Sequence, residues 1–271
     1  MGSNVAQLHR QRVAAEGLRL EGNALFAKGK YGAAVQTYTE GITMNSENTA
    51  LWVNRALCYK KLGDYDKVLN DADNALHLNI NHMKAHYLAG VAHHHRLDHK
   101  MAISHLQKAL HAARVSGDSI KDEIWHELAR AKYANWQLAA KQRKDTIEAV
   151  EAQLTELVAS KTTHLSPASP DALRSQLLSV LALAREKDTV KEVPSLFVCP
   201  LTMEVYRDPA ITPTGQSYER AAMLEHLSKV GKFDPITRAP VTEKDLIPNL
   251  GLRSAIEQYL DANQWAWAEC I

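Results

Sequence analysis

The sequence predicts a mainly α-helical chain: a solenoid of three helix pairs, a long helix with a helical hairpin, and last a small α+β module. Three observations lead there. Residues of matching size recur every thirty-four positions in the N-terminal part: Gly22, Ala56 and Gly90 in one register, Ala34, Val68 and Ala102 in another. Two apolar stripes at helical spacing then flank a break rich in serine and proline between Lys161 and Pro170. From Val193 the texture changes again, with Pro194, Pro200, Pro209, Pro213, Pro235, Pro240 and Pro248 close together.

Bulk properties narrow the function classes. The 271 residues are 45% hydrophobic, enough for two modest cores, and 32 basic against 31 acidic side chains leave a net charge of +1. A nucleic-acid or anionic-membrane binder would carry a basic excess, so neither partner is expected. No apolar run approaches the roughly eighteen residues of a membrane span, and the N-terminus lacks a signal-peptide core. Gly2 follows Met1, but Ala6 stands where a myristoylation site wants serine or threonine. Cys58, Cys199 and Cys270 are too scattered for a disulfide framework. A cytoplasmic protein with reduced thiols and no cofactor is expected, with nuclear entry left open.

After an extension over residues 1–13, the repeats fill residues 14–118. Tyr31, Tyr65 and His99 keep the thirty-four-residue interval, as do Ile42, Leu76 and Leu110. Each unit divides at one place: Gly29-Lys30-Tyr31, Gly63-Asp64-Tyr65 and, without glycine, Leu97-Asp98-His99. Small residues at fixed offsets let paired helices approach closely while larger ones fill between them. These positions resemble the tetratricopeptide-repeat family, with departures at Gly41, where alanine is usual, and His93, where an aromatic is usual. A three-repeat solenoid needs a cap. Ser119 and Asp122 at capping-box spacing, then Trp125, Leu128, Lys132 and Trp136, predict a long helix over about 119–160. His93-His94-His95 does not predict a metal site, because consecutive helical side chains diverge by about 100°.

Arg19 and Asn23 are four apart and share a helical face. Amides and cations together satisfy both oxygens of a carboxylate. Arg19, Asn23, Asn54 and Lys84 match the carboxylate clamp of chaperone-binding tetratricopeptide proteins, with arginine where lysine is often first. That resemblance adds Glu123 or Asp122 as an acid that positions a clamp lysine or accepts a peptide amide. It also suggests an apolar pocket from Tyr87 and Ile120, and a ligand in the acidic tails, ending Glu-Glu-Val-Asp, of the seventy- and ninety-kilodalton heat-shock chaperones. The alternative is that Asn23 and Asn54 serve inter-helix groups while Arg19 and Lys84 are solvated charges.

Residues 119–190 hold the cap and a hairpin. Ile147, Val150, Leu154 and Leu157 form one stripe; Leu173, Leu177, Val180, Leu181 and Ala184 form the other. Such a coiled-coil hairpin leaves an apolar edge, so a homodimer is expected, with packing of that edge on the repeats as the alternative.

Residues 193–266 form the last module. Pro209 to Gly215 reads as a small hairpin, Tyr218 to Val230 and Asn249 to Ala262 as amphipathic helices, and Phe233 to Arg238 as a loop. Phe197-Val-Cys-Pro-Leu-Thr-Met-Glu-Val, Arg207-Asp-Pro, Tyr218-Glu-Arg, Phe233-Asp-Pro-Ile-Thr-Arg and Leu246-Ile-Pro-Asn-Leu follow the U-box pattern. A zinc RING is a poor match, because beyond Val190 only Cys199, His226 and Cys270 carry thiol or imidazole, and two tetrahedral sites need about eight ligands. Hydrogen bonds are expected to hold the loops instead, through Asp208, Ser217, Glu219, Thr237 and Asn249.

The combination resembles the U-box ubiquitin ligases that carry tetratricopeptide repeats. It implies a non-covalent ligase whose partners are chaperones, ubiquitin, a ubiquitin-conjugating enzyme and misfolded clients. By position, Leu201, Met203 and Pro235 would form the apolar surface for the conjugating enzyme, and Arg238 would reach both that enzyme and the ubiquitin tail. The rival reading is a chaperone-binding adaptor without ligase activity.

Overall fold

The computed structural model describes residues 2–160, 170–186 and 188–271. They cluster into two compact units, Met1–Ala131 and Lys132–Ile271. The division therefore falls inside the long helix, not at the end of the repeats.

Six helices make the repeats: α1 (Gly2–Ala27), α2 (Tyr31–Met44), α3 (Thr49–Leu62), α4 (Tyr65–Leu78), α5 (Met83–His95) and α6 (His99–Ser116). Helix α1 begins at Gly2 and runs unbroken through the expected extension. The short turns inside each repeat follow from local chemistry. Gly29 and Gly63 adopt left-handed φ values of 72° and 78°, and Leu97 does the same at 63° without glycine's freedom. Asp64 and Asp98 then cap α4 and α6 by accepting from the amides of Lys67 and Met101. Small residues permit the close approach: a Cβ on Gly22 would lie 2.4 Å from the Tyr38 ring, and one on Gly90 2.6 Å from Leu106. Ala34, Ala56, Val68 and Ala102 are fully buried.

The turn aromatics differ in their contacts. Tyr31 meets Phe26 edge-on with centroids 5.2 Å apart, whereas Tyr65 stacks on His95 at 3.7 Å. His99 is buried with its Nδ1 3.2 Å from His94 Nδ1. The three consecutive histidines point to different partners: His93 toward Asp98 at 3.5 Å, His94 toward His99, and His95 toward Tyr65. Helix α7 (Lys121–Ser160) caps the solenoid and buries Ile124, Trp125 and Leu128. Asp118, not Ser119, accepts from the Ile120 amide at 3.1 Å, because the turn after Gly117 brings its carboxylate there.

In the second unit, residues 132–160 of α7 accompany α8 (Pro170–Glu186). Ion pairs join Glu151 to Arg185 and Arg143 to Asp188. Along the two stripes Ile147, Leu154, Leu177 and Leu181 are half-buried, while Val150, Leu157, Val180 and Ala184 are exposed. The expected Ser-Pro break, and the side chain of Leu173, lie outside the described residues.

The C-terminal module follows. Strands β1 (Pro209–Ile211), β2 (Ser217–Glu219) and β3 (Ile247–Pro248) form an antiparallel sheet in the order β2-β1-β3. The β1–β2 hairpin matches expectation. β3 was not expected, because two residues ending in proline carry no strand pattern and pair only at an edge. Helices α9 (Arg220–Lys229) and α10 (Leu250–Ala262) pack beside the sheet, α10 capped by Asn249. A 3₁₀ turn at Gln264–Cys270 buries Trp265 and Trp267, and Lys132 on α7 lies 4.3 Å over the Trp267 ring while pairing with Asp261.

Candidate functional site: a polar groove and a pair of matched loops

The first site is assembled from α1, α3, α5 and α7. Arg19 forks onto Glu16 one turn earlier, with Nε and Nη2 donating at 2.9 and 2.6 Å. Asn23 lies between Tyr38 and Asn54: the tyrosine hydroxyl is 2.7 Å from its amide, and Asn54 Nδ2 is 2.8 Å away. In the other amide orientation Asn23 donates to Tyr38 and to the Arg19 carbonyl and accepts from the Arg19 guanidinium at 3.1 Å. Asn54 bonds Asn23 in the first orientation and Arg19 bonds it in the second, so both side chains lie within hydrogen-bond reach of the Asn23 amide. Lys84, on α5, is exposed and stands outside this group.

Glu123 departs from expectation. The lysine it holds is Lys60, on α3, at 3.0 Å, and not Lys84. Tyr87 completes this junction, donating its hydroxyl to Glu123 and carrying Lys60 over its ring at 4.5 Å. Burial would raise the Glu123 carboxyl, but hydrogen bonds from Tyr87 and Lys60 outweigh it and hold the group below the usual carboxylate range. The Tyr87 hydroxyl is pushed up by burial and by Glu123. The pocket expected from Tyr87 and Ile120 is corrected accordingly. Tyr87 is only 1% exposed and spends its polar tip on Glu123, so it is a packed strut, while Ile120 is half-buried.

The second site is a pair of loops built on one plan. Residues 199–204 read Cys-Pro-Leu-Thr-Met-Glu, and residues 234–239 read Asp-Pro-Ile-Thr-Arg-Ala. In the first, the Cys199 amide donates to Glu204 O and the Met203 amide to Cys199 O, both at 2.8 Å. In the second, the Asp234 amide donates to Ala239 O at 2.8 Å and the Arg238 amide to Asp234 O at 2.9 Å. Met203 and Arg238 both turn left-handed, at φ 58° and 61°. The leading side chain of each loop accepts from the amide two residues on: Cys199 Sγ from Leu201 at 3.4 Å, Asp234 Oδ1 from Ile236 at 2.9 Å.

Asp234, absent from the sequence-based set, anchors the second loop. Fully buried, it also accepts from the Thr237 amide and from the hydroxyls of Thr212, Thr214 and Tyr218, all within 3.0 Å. Burial would raise its pKa, yet the surrounding donors, led by the Thr237 amide, hold it far below the usual value. Glu219 is the counterpart beneath the first loop, taking the amides of Arg207 and Asp208 at 2.9 and 3.2 Å. Asn249 bonds Ser217, and Asp208 faces Arg220 and Arg253 near 4 Å. The expected residues therefore take part, but the carboxylate with the most partners was missed. Its signal was present: each loop is X-Pro-[Leu/Ile]-Thr, which makes Asp234 the equivalent of Cys199.

This framework sets the loop tips in solvent. Leu201, Met203 and Ile236 are 37%, 77% and 56% exposed, and Pro235 is half-buried. Arg238 is exposed, its guanidinium 4.9 Å from the Phe233 ring centroid. Ile236 was also missed, although it occupies the second loop as Leu201 does the first. All three cysteines are buried, and burial pushes the Cys58 thiol up to about 11 and the Cys270 thiol up to about 12. No thiolate nucleophile is offered to solvent.

Comparison with known proteins finds relatives of both parts of the chain. A family model described as the U-box domain matches residues 193–265, and one described as a tetratricopeptide repeat matches residues 19–67. The E3 ubiquitin-protein ligase CHIP of Arabidopsis thaliana is 40% identical over 265 residues, covering 93% of this chain and 95% of that protein. Tetratricopeptide repeat protein 12 of Mus musculus is 42% identical over 82 residues, 30% of this chain and 12% of that protein. Among solved structures, the TPR2B-domain:pHsp70-complex of yeast Sti1 aligns with 44% of this chain and 96% of its own at 28% identity, with a TM-score of 0.41.

Proposed function

The chain belongs to the family of the E3 ubiquitin-protein ligase CHIP, and from that premise we propose that its repeats dock on the acidic C-terminal tails of heat-shock chaperones while its U-box brings a charged conjugating enzyme to the chaperone-held client. As a U-box ligase it is of the RING type. The step transfers ubiquitin from the enzyme's thioester to a client lysine amine. The ligase adds no nucleophile. It raises the local concentration of amine near thioester and holds the ubiquitin tail in reactive geometry.

One observation carries the transfer half: two hydrogen-bonded loops of the same build hold Leu201 and Met203, and Ile236 beside Pro235, in solvent. Rigid apolar tips of this kind suit a shallow groove on a partner, since little entropy is lost on docking. Arg238 supplies a cation at their edge for the enzyme and the ubiquitin carbonyls. The docking half is supported by Arg19, Asn23 and Asn54, which gather within hydrogen-bond reach of one amide. They include donor groups suited to a carboxylate that would compete with Glu16 for the guanidinium, with Lys84 as second cation. Exposed Val150, Leu157 and Val180 favour a homodimer through the hairpin, which sedimentation of the Val180→Glu variant would test.

The deciding experiment is a purified reaction with activating enzyme, a panel of conjugating enzymes, ubiquitin and a chaperone-bound client. Pro235→Ala should abolish all transfer. Lys84→Ala should lose client modification while self-modification persists. Transfer with no enzyme of the panel, despite intact chaperone binding, would leave an adaptor in place of a ligase.

A further inference from the structure

The lysine that Glu123 holds is not one of the clamp residues expected from sequence, and its setting is unusual for a surface cation. Lys60 ends α3, the helix that carries Asn54; Tyr87 lies one turn beyond Lys84 on α5; Glu123 opens α7. Three helices of the groove thus meet at one ammonium. A lysine ammonium has three donors. Two of them go to the Tyr87 hydroxyl and the Glu123 carboxylate, and the third finds no partner among the described residues. The side chain is 22% exposed, so that third donor has an outlet to solvent.

A free lysine loses rotamer entropy when a ligand fixes it, which is why most surface lysines bind weakly. Here the fold itself fixes the stem over the Tyr87 ring and the head against Glu123. The local charge favours an anion: Lys60 and Lys61 on α3 both act on the Glu123 carboxyl, while Glu127 and Arg130 act on the Tyr87 hydroxyl with opposite sign, so cations remain in excess. From these observations, and resting on the groove reading proposed above, we infer that Lys60 is a further recognition residue. It pairs with an acidic side chain of the docked peptide upstream of the terminal carboxylate, and Glu123 and Tyr87 act as positioning residues that hold the ammonium ready. Selectivity for acidic tails then comes from two cationic positions: Lys84 with Arg19 reads the terminus, and Lys60 reads the side chain before it.

The test uses the full chain and two labelled synthetic peptides, one ending Glu-Glu-Val-Asp and one ending Gln-Gln-Val-Asp, both with free C-termini, in fluorescence anisotropy at low salt. Lys60→Met should weaken the acidic peptide about fivefold, the scale of one half-exposed ion pair near 1 kcal/mol. It should leave the amide peptide within about twofold, and Lys60→Arg should restore the preference. Lys84→Ala should weaken both peptides alike. Equal loss for both peptides, or for neither, in a Lys60→Met chain that melts like wild type would overturn the role of Lys60 while leaving the groove standing. Undiminished binding of both peptides to Lys84→Ala would instead sink the groove reading itself.

Discussion

Replacing Asp234 with alanine should release the second loop of the U-box and take ubiquitin transfer with it. The carboxylate accepts five hydrogen bonds, and their donors differ in what they lose. Thr212 keeps Gln216 O at 3.2 Å, and Thr214 keeps the Thr212 hydroxyl at 2.7 Å. Tyr218 is fully buried, and its hydroxyl has no such substitute among the described contacts. The Ile236 and Thr237 amides lose the group that closes the turn. Hydrogen bonds to a charged acceptor contribute about 1.5–3 kcal/mol each. Three unreplaced donors, less the desolvation cost recovered with the carboxylate, come to about 4 kcal/mol. That is a large part of the 5–15 kcal/mol typical of a domain, and corresponds to a melting temperature lower by about 15 °C or more. Hydrogen exchange at the Ile236 and Thr237 amides, with the thermal transition of the second unit, reads both scales, and the repeats serve as internal reference. The pH dependence has a definite sign. Because the folded-state pKa of Asp234 is depressed, its contribution is complete above the unfolded carboxyl value near 3.9 and is lost only as pH falls toward the lower folded value. Wild-type protection at these amides should therefore be flat from neutral pH to about pH 5. An Asp234→Ala chain that keeps protection at both amides and melts within about 3 °C of wild type would refute the assignment.

Three other perturbations follow from the same contacts. Leu97→Gly should stabilise the third repeat by about 0.5–1 kcal/mol in urea unfolding, since Leu97 is 75% exposed and a leucine opposes its left-handed φ; lower stability would mean that packing of the leucine side chain outweighs the backbone strain. Acid should loosen α5 and α6 before the other repeats. Burial lowers His86 and pushes His105 down to about 4, and their Nδ1 atoms lie 3.1 Å apart, so both are held neutral. Their stabilisation is complete above the unfolded histidine value near 6.5 and falls by on the order of 1 kcal/mol per pH unit below it; His105→Gln should remove most of that slope in melts between pH 7 and pH 5. Cys199→Ser should retain ubiquitin transfer at a modest cost in stability, because a hydroxyl can still accept from the Glu219 amide. Loss of transfer by a folded Cys199→Ser chain would point to covalent catalysis.

Particular residues show how far the sequence reached. Gly22, Ala56 and Gly90 announced the helix pairs because close approach excludes a side chain wherever two helices cross, a demand that repeats with the period. Leu201, Met203, Pro235 and Arg238 were legible through the U-box string, and the loops then displayed them. Glu123 was legible as an acid of the groove but not as the partner of Lys60, sixty-three positions away. Asp234 looked like an ordinary loop residue until Thr212, Thr214 and Tyr218 were brought around it.

The sequence by itself determined the helix-pair period, the long cap and hairpin, the change of texture at the U-box, and the residue types at the U-box loop tips. These depend on spacing of a few residues along one element, where geometry is set by the backbone. Only the tertiary structure decided which cation Glu123 holds, that Tyr87 is a strut, that β3 exists, and that a buried carboxylate anchors the loop beside Pro235. Each of those is a choice among many chemically equivalent partners, and only packing of distant segments removes all but one from reach.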